Sequence, residues 1–156
     1  MSEYSKEMLD RIWVKGRKAG DLDPKEYRID VAGGLMKRRL YGNEGNLGWE
    51  GDHVYPKEKL KADKIPEDRW DDLINLRPMN AKNNVAKGED YPHYKRAVIW
   101  DRSVPKEHKN KAVSEEEKKA DEATKTTKST KVKTLVILPP FPHRWSRYEF
   151  HPLPLQ

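Results

Sequence analysis

The chain has 156 residues, 37% of them charged and 35% hydrophobic, and it carries no cysteine. Disulfide staples, thiolate zinc clusters and cysteine nucleophiles are thereby excluded, and no apolar run reaches the roughly 18 residues of a membrane span. The formal charge of +6 suits a polyanionic partner only weakly, since residues 1–103 hold 21 basic against 19 acidic residues.

The polar start (Ser2-Glu3-Tyr4-Ser5-Lys6-Glu7) lacks the apolar stretch of a secretory signal, so a cytoplasmic protein, or an effector delivered without a cleaved signal, is expected. Residues 4–19 read as a helix, with Met8, Leu9, Ile12 and Trp13 at helical spacing and Gly20-Asp21 as the stop. Asp23-Pro24 resembles an N-cap followed by a first-turn proline, and the Gly33-Gly34 pair argues for a bend. Gly42 to Gly48 reads as a turn and Trp49 to Tyr55 as a short strand ended by Pro56. Residues 57–72 are charged and read as a connection or short helix. Pro78 is placed at the start of a helix that runs to Lys87 and stops at Gly88.

Three segments follow from composition. Residues 1–103 form the expected domain, 104–133 a charged linker or disordered stretch, and 134–156 an apolar, Pro-aromatic end too short to fold alone. The expected class is α+β.

Chemistry concentrates in Gly48-Trp49-Glu50-Gly51-Asp52-His53 and in Asn75-Leu76-Arg77-Pro78-Met79-Asn80 through Asn84 to Lys87-Gly88. Phosphodiester hydrolysis needs a group that accepts a proton from water near neutral pH, and a neutral imidazole does this. It also needs positive charge against the phosphate and the departing oxygen. A His beside an Asp at a strand end supplies a base and a hard oxygen ligand. Asn84 offers a second oxygen from a facing helix, and Lys87, one turn on, adds positive charge for a phosphate.

This pattern resembles the HNH endonucleases, whose ββα-metal site runs Asp-His, then Asn-Leu, then a helix bearing His or Asn before Lys. The resemblance implies a small ββα-metal core with flanking helices over roughly residues 4–100 and a partly disordered C-terminal extension. It implies Asp52 as the metal-binding acid, His53 as general base, Asn75 as the residue that tethers the two halves and helps orient the His, and Asn84 as the last ligand. It further implies low-specificity cleavage of DNA, with RNA as a second candidate, using one Mg²⁺ or Mn²⁺. By ligand type such a site favours a hard ion over zinc.

The chain departs from the family at two places. The structural zinc is expected to be absent, because Asn80 and Asn83 stand where a Cys pair would be. Packing by Trp13, Trp49, Leu73, Leu76 and Met79 is expected to replace it. Gly51 stands where relatives often carry a β-branched residue, which would loosen the strand.

Lys37, Arg38, Arg39, Arg77, Lys82 and Lys87 are candidates for a phosphate track, against the reading of an ordinary basic surface. Arg28 and Asp30 read either as part of that surface or as a buried pair. Glu50 shares the strand face of Asp52. The alternative reading is a nucleic-acid-binding or protein-interaction module on a scaffold that does not hydrolyse, with the aromatic end as docking peptide. Defence, mobile-element and toxin roles all fit, the last with an acidic inhibitor or immunity protein as partner; no membrane partner is expected.

Overall fold

A computed structural model describes residues 4–119. Within them short α-helices, several 3-10 turns and three small antiparallel sheets make an α+β fold, with a further helix beginning at residue 115. No helix among the described residues is long and apolar enough to cross a membrane.

Helix α1 (Lys6–Trp13) begins at Ser5, whose hydroxyl accepts the Met8 N–H at 3.2 Å. It stops earlier than the helical spacing predicts. Strand β1 (Arg17–Lys18) already pairs with β2 (Tyr27–Ile29), and β2 pairs with β3 (Leu35–Lys37). A Cβ at Gly16 would lie 3.0 Å from the Arg28 Cβ, so the chain must pass close to β2 here and cannot continue as helix. Arg28 and Asp30 do not pair. The Arg28 guanidinium donates to the carbonyls of Pro24, Val14 and Gly16 instead.

Strand β4 (Trp49–His53) pairs with β5 (Leu76–Asn80), and β5 runs straight into helix α3 (Ala81–Lys87). Helix α2 (Lys57–Ala62) lies in the connection between the two strands. Pro78 therefore sits in mid-strand opposite Gly51, not at a helix start. A two-stranded sheet has only edges, so the missing proline N–H costs no ladder bond on the outer side. The helix opens instead at Asn80, whose side chain accepts the Lys82 N–H at 2.9 Å, and closes at Gly88 with φ +53°.

Ile12 and Trp13 from α1 bury against Met36, Trp49 and Leu76, with the two indole rings 5.0 Å apart. Of the residues expected to pack the core, Trp13, Trp49 and Leu76 are in this cluster and Leu73 packs against it; the cluster has a polar counterpart. Asp30, fully buried, accepts the N–H groups of Ala32, Gly34 and Asn80 and the Nδ2–H of Asn83, at 2.7–3.0 Å. Asn83 also donates to the Val98 carbonyl and accepts the N–H groups of Ala97 and Val98. One carboxylate and one amide thus join the β2–β3 turn, the start of α3 and strand β6 (Val98–Trp100). Asn80 and Asn83 cross-link the fold by hydrogen bonds.

The folded unit runs past residue 103. Strand β7 (Asn110–Ala112) pairs with β6, and the Asn110 side chain accepts the Leu35 N–H at 2.6 Å while donating to the carbonyls of Leu35 and Asn46. Val113 is buried as well. The segment expected as linker therefore begins with packed residues. The expectations for 120–133 and 134–156 lie outside the described residues.

Candidate functional site

Alternation along β4 divides its residues between two faces. Glu50 and Asp52 face α3; Trp49, Gly51 and His53 face α1. On the α3 side, Asn84 donates its Nδ2–H to Glu50 Oε2 at 2.8 Å. Lys87, one turn further, lies 3.2 Å from Asp52 Oδ1 and donates to the His53 carbonyl at 3.1 Å. Arg77, directly across the ladder from Asp52, donates its Nε–H to Asp52 Oδ2 at 2.8 Å. Asp52 and Lys87 are 4% and 2% exposed, so theirs is a buried ion pair. Arg77 also stacks over Tyr94, 5.4 Å from the ring centroid.

Asn75 is fully buried and holds the exit of β4 at both ends of its amide. Oδ1 accepts the Tyr55 N–H at 2.7 Å and Nδ2 donates to the Tyr55 carbonyl at 3.0 Å, while its own carbonyl accepts the Val54 N–H. It ties the two strands together just beyond His53 and has no hydrogen bond to the imidazole.

The imidazole is held by a residue the sequence reading passed over. His53 Nε2 lies 2.7 Å from Asp71 Oδ1, and that same oxygen accepts the Tyr4 hydroxyl at 3.2 Å. Burial lowers the His53 pKa below its ordinary value and so favours the neutral ring, opposed by the hydrogen bond to Asp71. Asp71 lies in the charged connection between β4 and β5, and its spacing from His53 carries no period. The neighbouring Trp70-Asp71-Asp72 run offered no signal beyond charge.

The candidate residues divide into two groups. Asp52, Asn84, Arg77 and Lys87 are gathered between β4, β5 and α3, with Glu50 among them. His53 borders this group through its backbone while its ring lies on the other face. Lys37 sits over the Tyr27 ring and Arg38 pairs with Asp10, whereas Arg39 and Lys82 are exposed. Lys87, expected on a phosphate track, is instead buried and committed to Asp52.

Among the described residues no three His, Asp or Glu side chains gather as a metal cluster. The side chains of Asp52, Asn84 and Glu50 on the α3 side carry hard oxygens, but the contacts of Asp52 are to Arg77 and Lys87, and that of Asn84 is to Glu50. By donor chemistry, carboxylate and amide oxygens are the kind that hold Mg²⁺, which commonly takes one or two carboxylates and keeps several waters. Both Asp52 oxygens contact cationic side chains, and an ion there would compete with Arg77 and Lys87.

The chain matches no protein-family model, and no curated protein or solved structure matches it.

Proposed function

We propose that the protein is a divalent-metal-dependent HNH endonuclease that hydrolyses phosphodiester bonds, in DNA before RNA. The reading is supported above all by one juxtaposition. An Asp-His pair ends a strand, and its antiparallel partner leads directly into a helix that brings Asn84 and Lys87 to the Asp side. This β4–β5–α3 order is the one the ββα-metal resemblance calls for, and the small α+β frame accommodates it.

In this reading His53 accepts a proton from water, whose oxygen attacks phosphorus as the bond to the 3′ oxygen breaks, leaving a 5′-phosphate. Because the ring lies on the opposite face of β4 from Asp52, the phosphate has to sit at the strand end that both residues border. Asp52 and Asn84 would hold the cation, which when bound supplies positive charge against the phosphate and the leaving oxygen. Arg77, bonded to Asp52, would meet a phosphate oxygen there through its remaining guanidinium N–H groups. Asn75 keeps the strand exit fixed, so that His53 and Asp52 hold their relative placement.

Purified protein is expected to nick plasmid DNA with Mg²⁺ or Mn²⁺, to lose this activity in EDTA, and to lose it in His53→Ala. Cleavage that survives His53→Ala would remove the proposed base. The two cations on Asp52 favour a second reading, a nucleic-acid-binding module without hydrolysis. It predicts salt-dependent DNA binding and no cleavage with any divalent ion.

A further inference from the structure

The face of β4 turned toward α1 carries a continuous chain of contacts that ends on the imidazole. The Tyr4 ring lies against Gly51, Tyr4 donates its hydroxyl proton to Asp71, and Asp71 meets His53 Nε2. The carboxylate accepts and cannot donate, so Nε2 carries the ring proton in the neutral imidazole. His53 Nδ1 has no hydrogen-bond partner among the described residues, and it is not a buried orphan, so solvent reaches it. The other charged groups acting on the ring are Lys57 and Asp52.

We infer that Asp71 is a positioning residue for His53: it ties down Nε2–H, fixes the ring plane, and leaves Nδ1 as the atom that takes the proton from water. The inference rests on the nuclease reading for its catalytic consequence. In the reaction, an O–H bond of water breaks and its proton goes to Nδ1, the water oxygen bonds phosphorus, and the P–O3′ bond breaks. Nε2–H stays where it was, and Asp71 faces the imidazolium that has formed. Asn75 does not supply this function, because its amide is spent on the backbone of Tyr55. Tyr4 orients Asp71 in turn, through the carboxylate oxygen that His53 uses.

The test is nitrogen-15 and proton NMR of the histidine-labelled full chain at about pH 8, where an ordinary imidazole is neutral, alongside single-turnover cleavage. The His53 ring should show Nε2 protonated, with a low-field, slowly exchanging Nε2–H, and Nδ1 bare. Asp71→Ala should lose that low-field proton. In Asp71→Asn the amide should donate to Nε2 and drive the ring proton to Nδ1, as an Asp-to-Asn change does in a Ser-His-Asp triad. Both variants should lower kcat on the order of 10²-fold, the scale of a misplaced catalytic group, with KM for DNA unchanged. A wild-type ring protonated on Nδ1, or a low-field proton that survives Asp71→Ala, overturns the inference. So does an unchanged kcat in both variants. A wild-type chain that shows the Nε2–H signature but cuts nothing overturns the nuclease reading instead and leaves the Asp71–His53 pairing intact.

Discussion

A Cβ on Gly51 would lie 2.9 Å from Cε2 of Tyr4, closer than real Cβ atoms approach a neighbour, so the ring occupies the space a side chain at 51 would need. Gly51 therefore admits Tyr4 rather than loosening the strand. Gly51→Val should push the ring off β4 and cost about 1–3 kcal/mol, the scale of overpacking. Urea unfolding reads that loss. Unchanged stability would mean that the ring moves aside freely.

The Asp30 carboxylate accepts four N–H groups, two from the β2–β3 turn and two from the start of α3. Asp30→Ala leaves these buried donors without their acceptor, and an unsatisfied buried group costs about 1–3 kcal/mol. The loss should be at least at the upper end of that range and should appear as a fall in melting temperature. A change within about 0.5 kcal/mol, typical of surface positions, would show that water or another acceptor replaces the carboxylate.

Asp30 also predicts a pH dependence. Burial raises its pKa above the ordinary 3.8, outweighing the hydrogen bonds from Asn83, Gly34, Asn80 and Ala32 that lower it. The folded state then binds this proton more tightly than the unfolded chain does. Its contribution to stability is full below 3.8 and is lost as pH rises through the folded value. The stability of the native chain relative to Asp30→Asn should fall across that window. A difference that grows with pH would mean that the four donors favour the carboxylate more than burial opposes it.

Lys87 and Lys82 both lie on α3 and should behave differently. Lys87 is buried on Asp52, and breaking a buried pair by removing one partner costs about 3–5 kcal/mol. Lys87→Ala should therefore destabilise the fold. Lys82 is exposed, so Lys82→Ala should leave stability within about 0.5 kcal/mol. If Lys82 touches phosphate, the same variant should reduce the salt slope of DNA affinity by about one unit. Chemical unfolding and a salt titration of DNA binding separate the two lysines. An unchanged slope would remove Lys82 from any phosphate track.

What the sequence made legible follows the range of the interactions. The strand expected at Trp49–Tyr55 starts where Gly48 placed it but ends at His53, two residues before Tyr55, and Gly88 marked the helix end through its own backbone preference. The helix start was misread, because Pro78 favours a first helical turn and nothing local reveals that it pairs with Gly51. Asp71 and Asp30 were missed as partners for a related reason. Asp71 meets His53 across 18 residues and Asp30 meets Asn83 across 53, and no periodicity connects such pairs. The Asp52, Asn84 and Lys87 grouping came from motif spacing, whereas the burial of Lys87 did not, because a lysine near a helix end looks the same in sequence whether solvated or paired.

The boundary of the folded unit gives the last prediction. Asn110 supplies the only side-chain acceptor drawn to the Leu35 N–H among the described residues, and it also donates to the Leu35 and Asn46 carbonyls. Leu35 is fully buried beside Ala19 and Ile29, so water has little access to these groups. A chain ending at residue 103 loses Asn110, the β6–β7 pairing and buried Val113 together, and should unfold or melt well below the full chain. Asn110→Ala, which keeps the backbone pairing, should cost about 1–3 kcal/mol for the donor left unpaired. A chain ending at residue 119 keeps all of these contacts and should melt well above the one ending at 103. If the version ending at 103 were as stable as the one ending at 119, strand β7 would be an ornament on a domain already complete without it.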